Sequence, residues 1–242
     1  MFSYKYFVYL ISYKMLEFDN FENENIYNNS LNDDVISNIN QNQEQKNNLN
    51  NVVRKPLMIL GPSGVGKDTM INRLKAKYQN VIYKLPSYTT RPMRKGEIEG
   101  VDYFFVTKEQ FQLMRKEGCL FGIQEYNNNF YASNKNKLKE LMTDKNKIII
   151  LNYNIETANS VKDELDFNYV AVCSPSEDEL KNRLIKRGTK PEEIEKRMEK
   201  SRNEINLIQE AHYIDFRLLN DDEEKAFNDL ENHLKELYPV LK

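Results

Sequence analysis

From Pro56 the chain runs Pro56-Leu57-Met58-Ile59-Leu60-Gly61-Pro62-Ser63-Gly64-Val65-Gly66-Lys67-Asp68-Thr69: a short apolar run, three glycines within six residues, then a lysine. The apolar run is long enough for a buried strand. Beyond Lys67, the spacing of Met70, Leu74 and Tyr78 predicts a helix. Between the two, Gly61, Gly66 and Lys67 keep the Gly-x4-Gly-Lys spacing of a phosphate-binding loop. Glycine lets successive backbone N–H groups face phosphate oxygens with no Cβ in the way. The helix N-terminus adds favourable partial charge, and Lys67 reaches the outer phosphates as a point charge. Gly61, Pro62, Ser63, Gly64, Val65, Gly66, Lys67, Asp68 and Thr69 are thus the expected cradle for a nucleotide's phosphates. After the lysine this motif expects Ser or Thr, whose hydroxyl ligates Mg²⁺. Here a carboxylate, Asp68, stands in that place. It is expected on the metal side, with the Thr69 hydroxyl available to an inner phosphate.

Outward from this loop, strand and helix patterns alternate. Val81–Leu85, Lys147–Leu151, Tyr169–Cys173 and Tyr213–Leu219 read as strands. Lys135–Thr143, Ile155–Leu165, Ser176–Arg187, Pro191–Glu210 and Asp222–Leu237 read as helices. Ser176 with Glu179 has the pattern of a capping box, Gly188 stands where a helix stops, and Pro191 suits a first helical position. Buried strands alternating with helices imply an α/β fold with a parallel sheet covered on both faces.

The other end of the chain reads differently. Between Asn20 and Asn51, 13 of 32 residues are Asn, a segment with little apolar surface to offset its ordering entropy. Residues 1–54 are expected to be a disordered, Asn-rich extension. Met1–Phe18 is more apolar, but its core at Phe7–Ile11 is short and interrupted by Tyr, so organelle targeting is the lesser expectation and a cytoplasmic location the main one. The formal charge is −2, from 35 basic and 37 acidic residues. No basic excess exists to make nucleic acid or an anionic membrane a partner. No apolar run approaches the roughly 20 residues of a membrane helix. Cys119 and Cys173 lie far apart and form neither a metal cluster nor a disulfide framework, which suits a reducing compartment.

A second anion site is written between Ser87 and Val106: Ser87-Tyr88-Thr89-Thr90-Arg91-Pro92-Met93-Arg94-Lys95-Gly96-Glu97, then Gly100-Val101-Asp102-Tyr103-Phe104-Phe105-Val106. Two arginines with hydroxyls in an irregular segment suit a phosphate monoester. Alone they would pass for solvated loop charges. Beside a phosphate cradle they give the two grips that a kinase of nucleoside monophosphates requires. Arg183 and Arg187, four apart, share a helix face, with Arg197 and Arg202 on the helix that follows. Guanidinium groups there suit the diffuse negative charge of phosphoryl transfer once closure excludes water.

These blocks, with Phe130-Tyr131-Ala132-Ser133, Ser174-Pro175-Ser176 and Asn220-Asp221-Asp222, resemble the guanylate kinase family over residues 55–238. The resemblance implies a P-loop core (55–86 and 134–238), a small, largely β GMP-binding subdomain (87–133) and a helical lid (about 183–203). It implies transfer of the γ-phosphoryl group of Mg-ATP to GMP by a monomer. Arg91, Arg94, Tyr103 and Tyr131 would grip the GMP phosphate, Ser87 would meet the guanine edge and Ser133 would also contact GMP. Glu97 would place the GMP-binding loop, and Asn220 would lie near the ATP base. Lys67, Arg183, Arg187 and Arg197 would be catalytic.

The chain departs from the family pattern at Asp68, Gly122, Asn152 and Asn154. The family usually has a guanine-reading Glu at Gly122, and Gln124 or Glu125 is the available substitute. Asn152 and Asn154 stand where two Asp are typical, the first on the metal side and the second on guanine. Asp68 is expected to return the charge lost at Asn152. Two alternatives stay open: a nucleoside monophosphate kinase of altered base specificity, and a catalytically weak interaction module.

Overall fold

The computed structural model describes residues 54–242; the Asn-rich extension and the Met1–Phe18 stretch lie outside the described residues. In chain order the elements are β1 (Leu57–Leu60), α1 (Lys67–Lys77), β2 (Ile82–Lys84), β3 (Ser87–Thr89), β4 (Tyr103–Phe105) and α2 (Lys108–Lys116). There follow β5 (Leu120–Tyr126), β6 (Asn129–Asn134), α3 (Lys135–Met142), β7 (Ile148–Asn152), α4 (Ile155–Val161) and β8 (Asn168–Cys173). The chain closes with α5 (Glu177–Lys186), α6 (Pro191–Glu210), β9 (Phe216–Leu219), α7 (Glu223–Leu237) and a 3₁₀ turn at Pro239–Leu241.

All four residues of β1 are fully buried, so the strand needs cover on both faces. It has that cover at the centre of a five-stranded parallel sheet ordered β2-β7-β1-β8-β9. Alternate residues feed two cores. Leu57 and Ile59 pack with Met70, Ile71 and Leu74 of α1, Leu180 and Leu184 of α5, and Phe227 and Leu230 of α7. Met58 and Leu60 pack on the other side with Leu138 of α3, Ile155 and Ala158 of α4, and Ile208 of α6. This is the expected doubly covered sheet, and it aims the loop after β1 at the carboxyl ends of the strands, where open α/β sheets bind ligands.

Residues 87–134 build a second sheet, ordered β4-β3-β6-β5, with β3 parallel to β4 and antiparallel to β6. Its hairpin turns at Asn127 and Asn128, both with positive φ (49° and 59°), the twist-matched geometry that favours Asn or Gly. The β5–β6 register shifts between Phe121 and Gln124, so Gly122 lies within an irregularity of the ladder. Phe111 of α2 stacks on Phe130 and anchors a small third core with Leu120 and Ala132.

Three local expectations change. The helix from Ile155 ends at Val161 rather than Leu165, and residues 162–165 continue only as turns bonded back to Ala158 and Val161. The last strand begins at Phe216 rather than Tyr213. Tyr213 instead donates its hydroxyl to Asn159, and the Asp215 carboxylate accepts from the Tyr169 amide. At Ser176 only half of the capping box forms. Its hydroxyl accepts from the Glu179 amide, but the Glu179 carboxylate is taken by Arg183. A complete box instead caps α2, where Thr107 and Gln110 satisfy each other.

Candidate active site

The loop after β1 can take its path only because of its glycines. Gly61 and Gly66 have φ of 139° and 107°, conformations that L side chains rarely adopt. A Cβ on Gly61 would also collide with the Val172 carbonyl, and one on Gly66 with the Asn220 amide. The loop is tied from outside by Asn220, nearly buried, whose Nδ2 donates to the Val65 carbonyl at 2.8 Å. Arg183 holds this arrangement in turn. It donates to the Asn220 carbonyl at 2.9 Å and pairs with Glu179 at 2.8 Å.

Lys67, the first residue of α1, folds back over the loop and donates to the carbonyls of Gly61 and Pro62. Burial draws its ammonium down to about 8, while Glu204 and Asp68 favour the charged form and Arg187 opposes it. Glu204, on α6, is 4% exposed, and its Oε2 has no hydrogen-bond partner among the described residues. Desolvation raises its carboxyl above the ordinary range, against the pull of Lys67 and Lys200. Its position follows from helix periodicity. Met198, Ser201, Glu204 and Ile208 form the buried stripe of α6, two of them polar. A polar residue on an apolar stripe was the signal available in the sequence.

Asp68 faces the end of β7. Its Oδ1 accepts from Asn152 Nδ2 at 2.9 Å and lies 3.5 Å from Lys84 Nζ. The two departures from the family pattern are therefore in direct contact. A carboxylate and an amide oxygen are hard donors of the kind Mg²⁺ takes, but among the described residues no three His, Cys, Asp or Glu converge on one point. The donor set fits Mg²⁺ arriving with phosphates and water, not a resident ion held by protein alone.

The cradle opens into a cleft of about 1490 Å³. Its walls carry Lys67, Asp68 and Thr69, the arginines Arg183, Arg187 and Arg197, and Asn220. Tyr103, Gln124, Tyr126 and Asn127 line the cleft from the second sheet and its hairpin, and Asn152, Tyr153, Asn154 and Glu156 from β7 and the start of α4. Arg197 reaches from α6 toward the cradle, 3.5 Å from the Ser63 hydroxyl, and is steadied by Glu193 at 3.0 Å. Arg187 is exposed on the cleft wall. Arg202 is turned away onto Glu177 and Glu195, outside the lining.

Of Ser87, Arg91, Arg94, Glu97, Tyr103, Tyr131 and Ser133, expected to bind GMP, Tyr103 alone lines this cleft. The others surround it in the second sheet and its loop. Arg91 forms a bidentate pair with Glu97 at 2.7 and 2.9 Å and lies 5.2 Å from the Tyr103 ring centroid. Glu97 also accepts from the Arg94 amide at 2.7 Å, which fixes the loop. The Arg91 hydrogen bonds hold the Glu97 carboxyl down at about 2. Tyr131 packs edge-on against Tyr103. Ser87 and Ser133 lie with their hydroxyls 3.5 Å apart, and the buried Tyr153 donates to Ser133 at 2.6 Å. Glu125, one of two substitutes considered for Gly122, is outside the lining, whereas Gln124 is in it.

The guanylate kinase family model matches residues 53–237. Over 180 residues the chain is 34% identical to a guanylate kinase of Oceanobacillus iheyensis, covering 74% of this chain and 85% of that protein. It is 37% identical over 179 residues to the guanylate kinase of Schizosaccharomyces pombe, covering 73% of this chain and 88% of the relative. The crystal structure of guanylate kinase from Anaplasma phagocytophilum superposes with a TM-score of 0.60 at 26% identity, covering 77% of this chain and 87% of that one.

Proposed function

The chain belongs to the guanylate kinase family, and from that premise we propose that it transfers the γ-phosphoryl group of ATP to GMP, giving ADP and GDP, with the residues that line this cleft and those packed around Tyr103. The observation that carries the assignment of roles is that the P-loop lysine and Tyr103 of the second sheet line the same cavity. Donor and acceptor phosphates thus have a common space in which to meet.

The Gly61–Thr69 loop, through its backbone N–H groups (Pro62 has none), and the Lys67 ammonium bind the outer phosphates of ATP. A rotation of Lys67 from the Gly61 and Pro62 carbonyls onto phosphate oxygens replaces two neutral acceptors by charged ones. Arg91, Arg94, Tyr103 and Tyr131 hold the GMP phosphate, with Glu97 keeping Arg91 and the loop in place. Ser87 and Ser133 face the guanine. Asn220 sits beside the cradle on the ATP side, and Arg183 anchors it. Arg187, at the C-cap of α5, and Arg197, on α6, approach the transferring group from the lid.

No general base is required, because the GMP phosphate oxygens are already anionic. Catalysis rests on in-line positioning and on stabilising charge spread over the transferring group. Asp68, with the Asn152 amide beside it, is the pair that would hold Mg²⁺ entering with ATP. Bound there, the ion would neutralise charge on the β- and γ-phosphates. A cleft assembled within one chain supports a monomer, and the free thiols of Cys119 and Cys173 suit the cytoplasm.

GMP-dependent ADP formation by the full chain tests this reading. Lys67→Ala is expected to lower kcat by about 10³-fold, the scale of losing one charge-stabilising donor. Unchanged turnover in that variant would overturn it.

A further inference from the structure

Resting on the GMP reading above, we propose that Glu156 is the carboxylate that reads the guanine edge in this chain, in place of a side chain at Gly122. Guanine presents two adjacent donors, N1–H and the N2 amine, beside the O6 acceptor, and a carboxylate can accept from both donors at once. Something at the base end of the cleft must supply that acceptor.

Gly122 cannot. Its φ is 61°, and a Cβ there would stand 2.8 Å from the Tyr153 hydroxyl and 3.0 Å from Thr157 Cγ2. Tyr153 and Thr157 have filled the room a longer side chain would need. The Tyr153 hydroxyl is buried and donates to Ser133, and burial raises its pKa, so it stays neutral. Asn154 cannot either. Its Oδ1 already accepts from the Thr157 amide at 2.9 Å and the Thr157 hydroxyl at 2.6 Å, which leaves only Nδ2, a donor, to face outward.

That donor points to Glu156. Asn154 Nδ2 lies 3.3 Å from Glu156 Oε2, and both residues line the cleft beside Tyr153. Lys200 of α6 stands 3.6 Å from the same carboxylate and 3.9 Å from Glu204. Glu156 is therefore steadied from one side by the residue that has lost its acceptor, and from the other by the lid helix. Positions 122 and 154 carry no acid here, and the carboxylate at position 156 stands beside them, paired with Lys200 of α6.

The test compares GMP, IMP and AMP as acceptors for the full chain with Mg-ATP, in the parent and in Glu156→Ala and Glu156→Gln. IMP lacks only the N2 amine. The parent is expected to prefer GMP over IMP. Glu156→Ala should lower kcat/KM for GMP by about 10- to 100-fold, chiefly through KM, and bring the GMP/IMP ratio near one. Glu156→Gln, which keeps one acceptor oxygen, should fall between, and the Kd for ATP should stay at the parent value in both variants. The proposal is overturned if Glu156→Ala binds ATP normally and keeps the parent's GMP/IMP ratio. It is equally overturned if Gln124→Ala removes that preference and Glu156→Ala does not, or if the parent itself shows none. A parent without Lys67-dependent GMP turnover would sink the kinase reading itself, and that failure is visible before any Glu156 variant is made.

Discussion

The two ends of the cleft are built on different principles. At the phosphate end, recognition belongs to the backbone. The path of Gly61–Lys67 is forced by positive φ angles and by the close approach of the Val172 carbonyl and the Asn220 side chain. Consecutive residues do the work, and the loop's glycines cannot gain a side chain without strain. At the base end, recognition belongs to side chains from separate elements: Gly122 on β5, Tyr153 and Asn154 after β7, Glu156 and Thr157 on α4. There one residue can take the space or the hydrogen bond of another. Tyr153 and Thr157 have done so around Gly122. Phosphate grip is therefore rigid in sequence, while base reading can be rearranged within an unchanged fold.

The sharpest way to break this contrast lies at the acceptor phosphate. Arg91→Ala removes a guanidinium already aimed by Glu97, and should raise KM for GMP by about 100-fold with little change in KM for ATP, as expected for a charge-assisted bidentate donor. Steady-state kinetics in both substrates check it, and an equal loss toward ATP would contradict the division into two ends.

The pH dependence tests the donor end. Burial holds Lys67 of the free protein at about 8, below its usual 10.5, so the ammonium is lost as pH rises through about 8. The kcat/KM for ATP should fall above that pH by about tenfold per unit. At saturating ATP the fall in kcat should come at higher pH, because bound phosphates favour the ammonium. Linkage for stability runs the other way. Between about 8 and 10.5 the unfolded chain holds the extra proton, so the cost of burying a charged Lys67 is fully present at lower pH and fades across that window.

At the base end the prediction concerns stability. Gly122→Ala should destabilise by about 1–3 kcal/mol, since it adds a Cβ in a left-handed conformation against Tyr153. Tyr153→Ala in the same chain should relieve the steric part of that cost, and thermal melts of the two single variants and the double variant measure it. Additive losses would mean that Tyr153 does not occupy the space of a residue-122 side chain. The smallest expected effect is the coupling between Asp68→Ser and Asn152→Asp. Contact at 2.9 Å predicts non-additivity of about 0.5 kcal/mol or more in Mg²⁺-dependent turnover.

The contrast also explains what could be read in advance. The fully buried β1, the glycine loop and the stop at Gly188 are local signals, and each leads to the observed element. The Arg91 and Glu97 cluster was legible because it is contiguous. Three features were not legible. Glu179 goes to Arg183 rather than to its cap because two partners compete for one carboxylate. The stripe of α6 could mark Glu204 as buried, but its partner Lys67 is met only once α6 has packed across the sheet. The packing of Tyr153 against Gly122 depends on a register shift between Phe121 and Gln124 that no short motif announces. Long-range competition for space and for hydrogen bonds decided all three.

The most direct measurement is ADP formation from Mg-ATP by the full chain with GMP, dGMP, AMP, CMP and UMP side by side, with Lys67→Ala as the blank. The account predicts Lys67-dependent turnover with GMP preferred over AMP, CMP and UMP. Preference for one of those three, or no turnover above the blank in protein that still binds ATP, would contradict it.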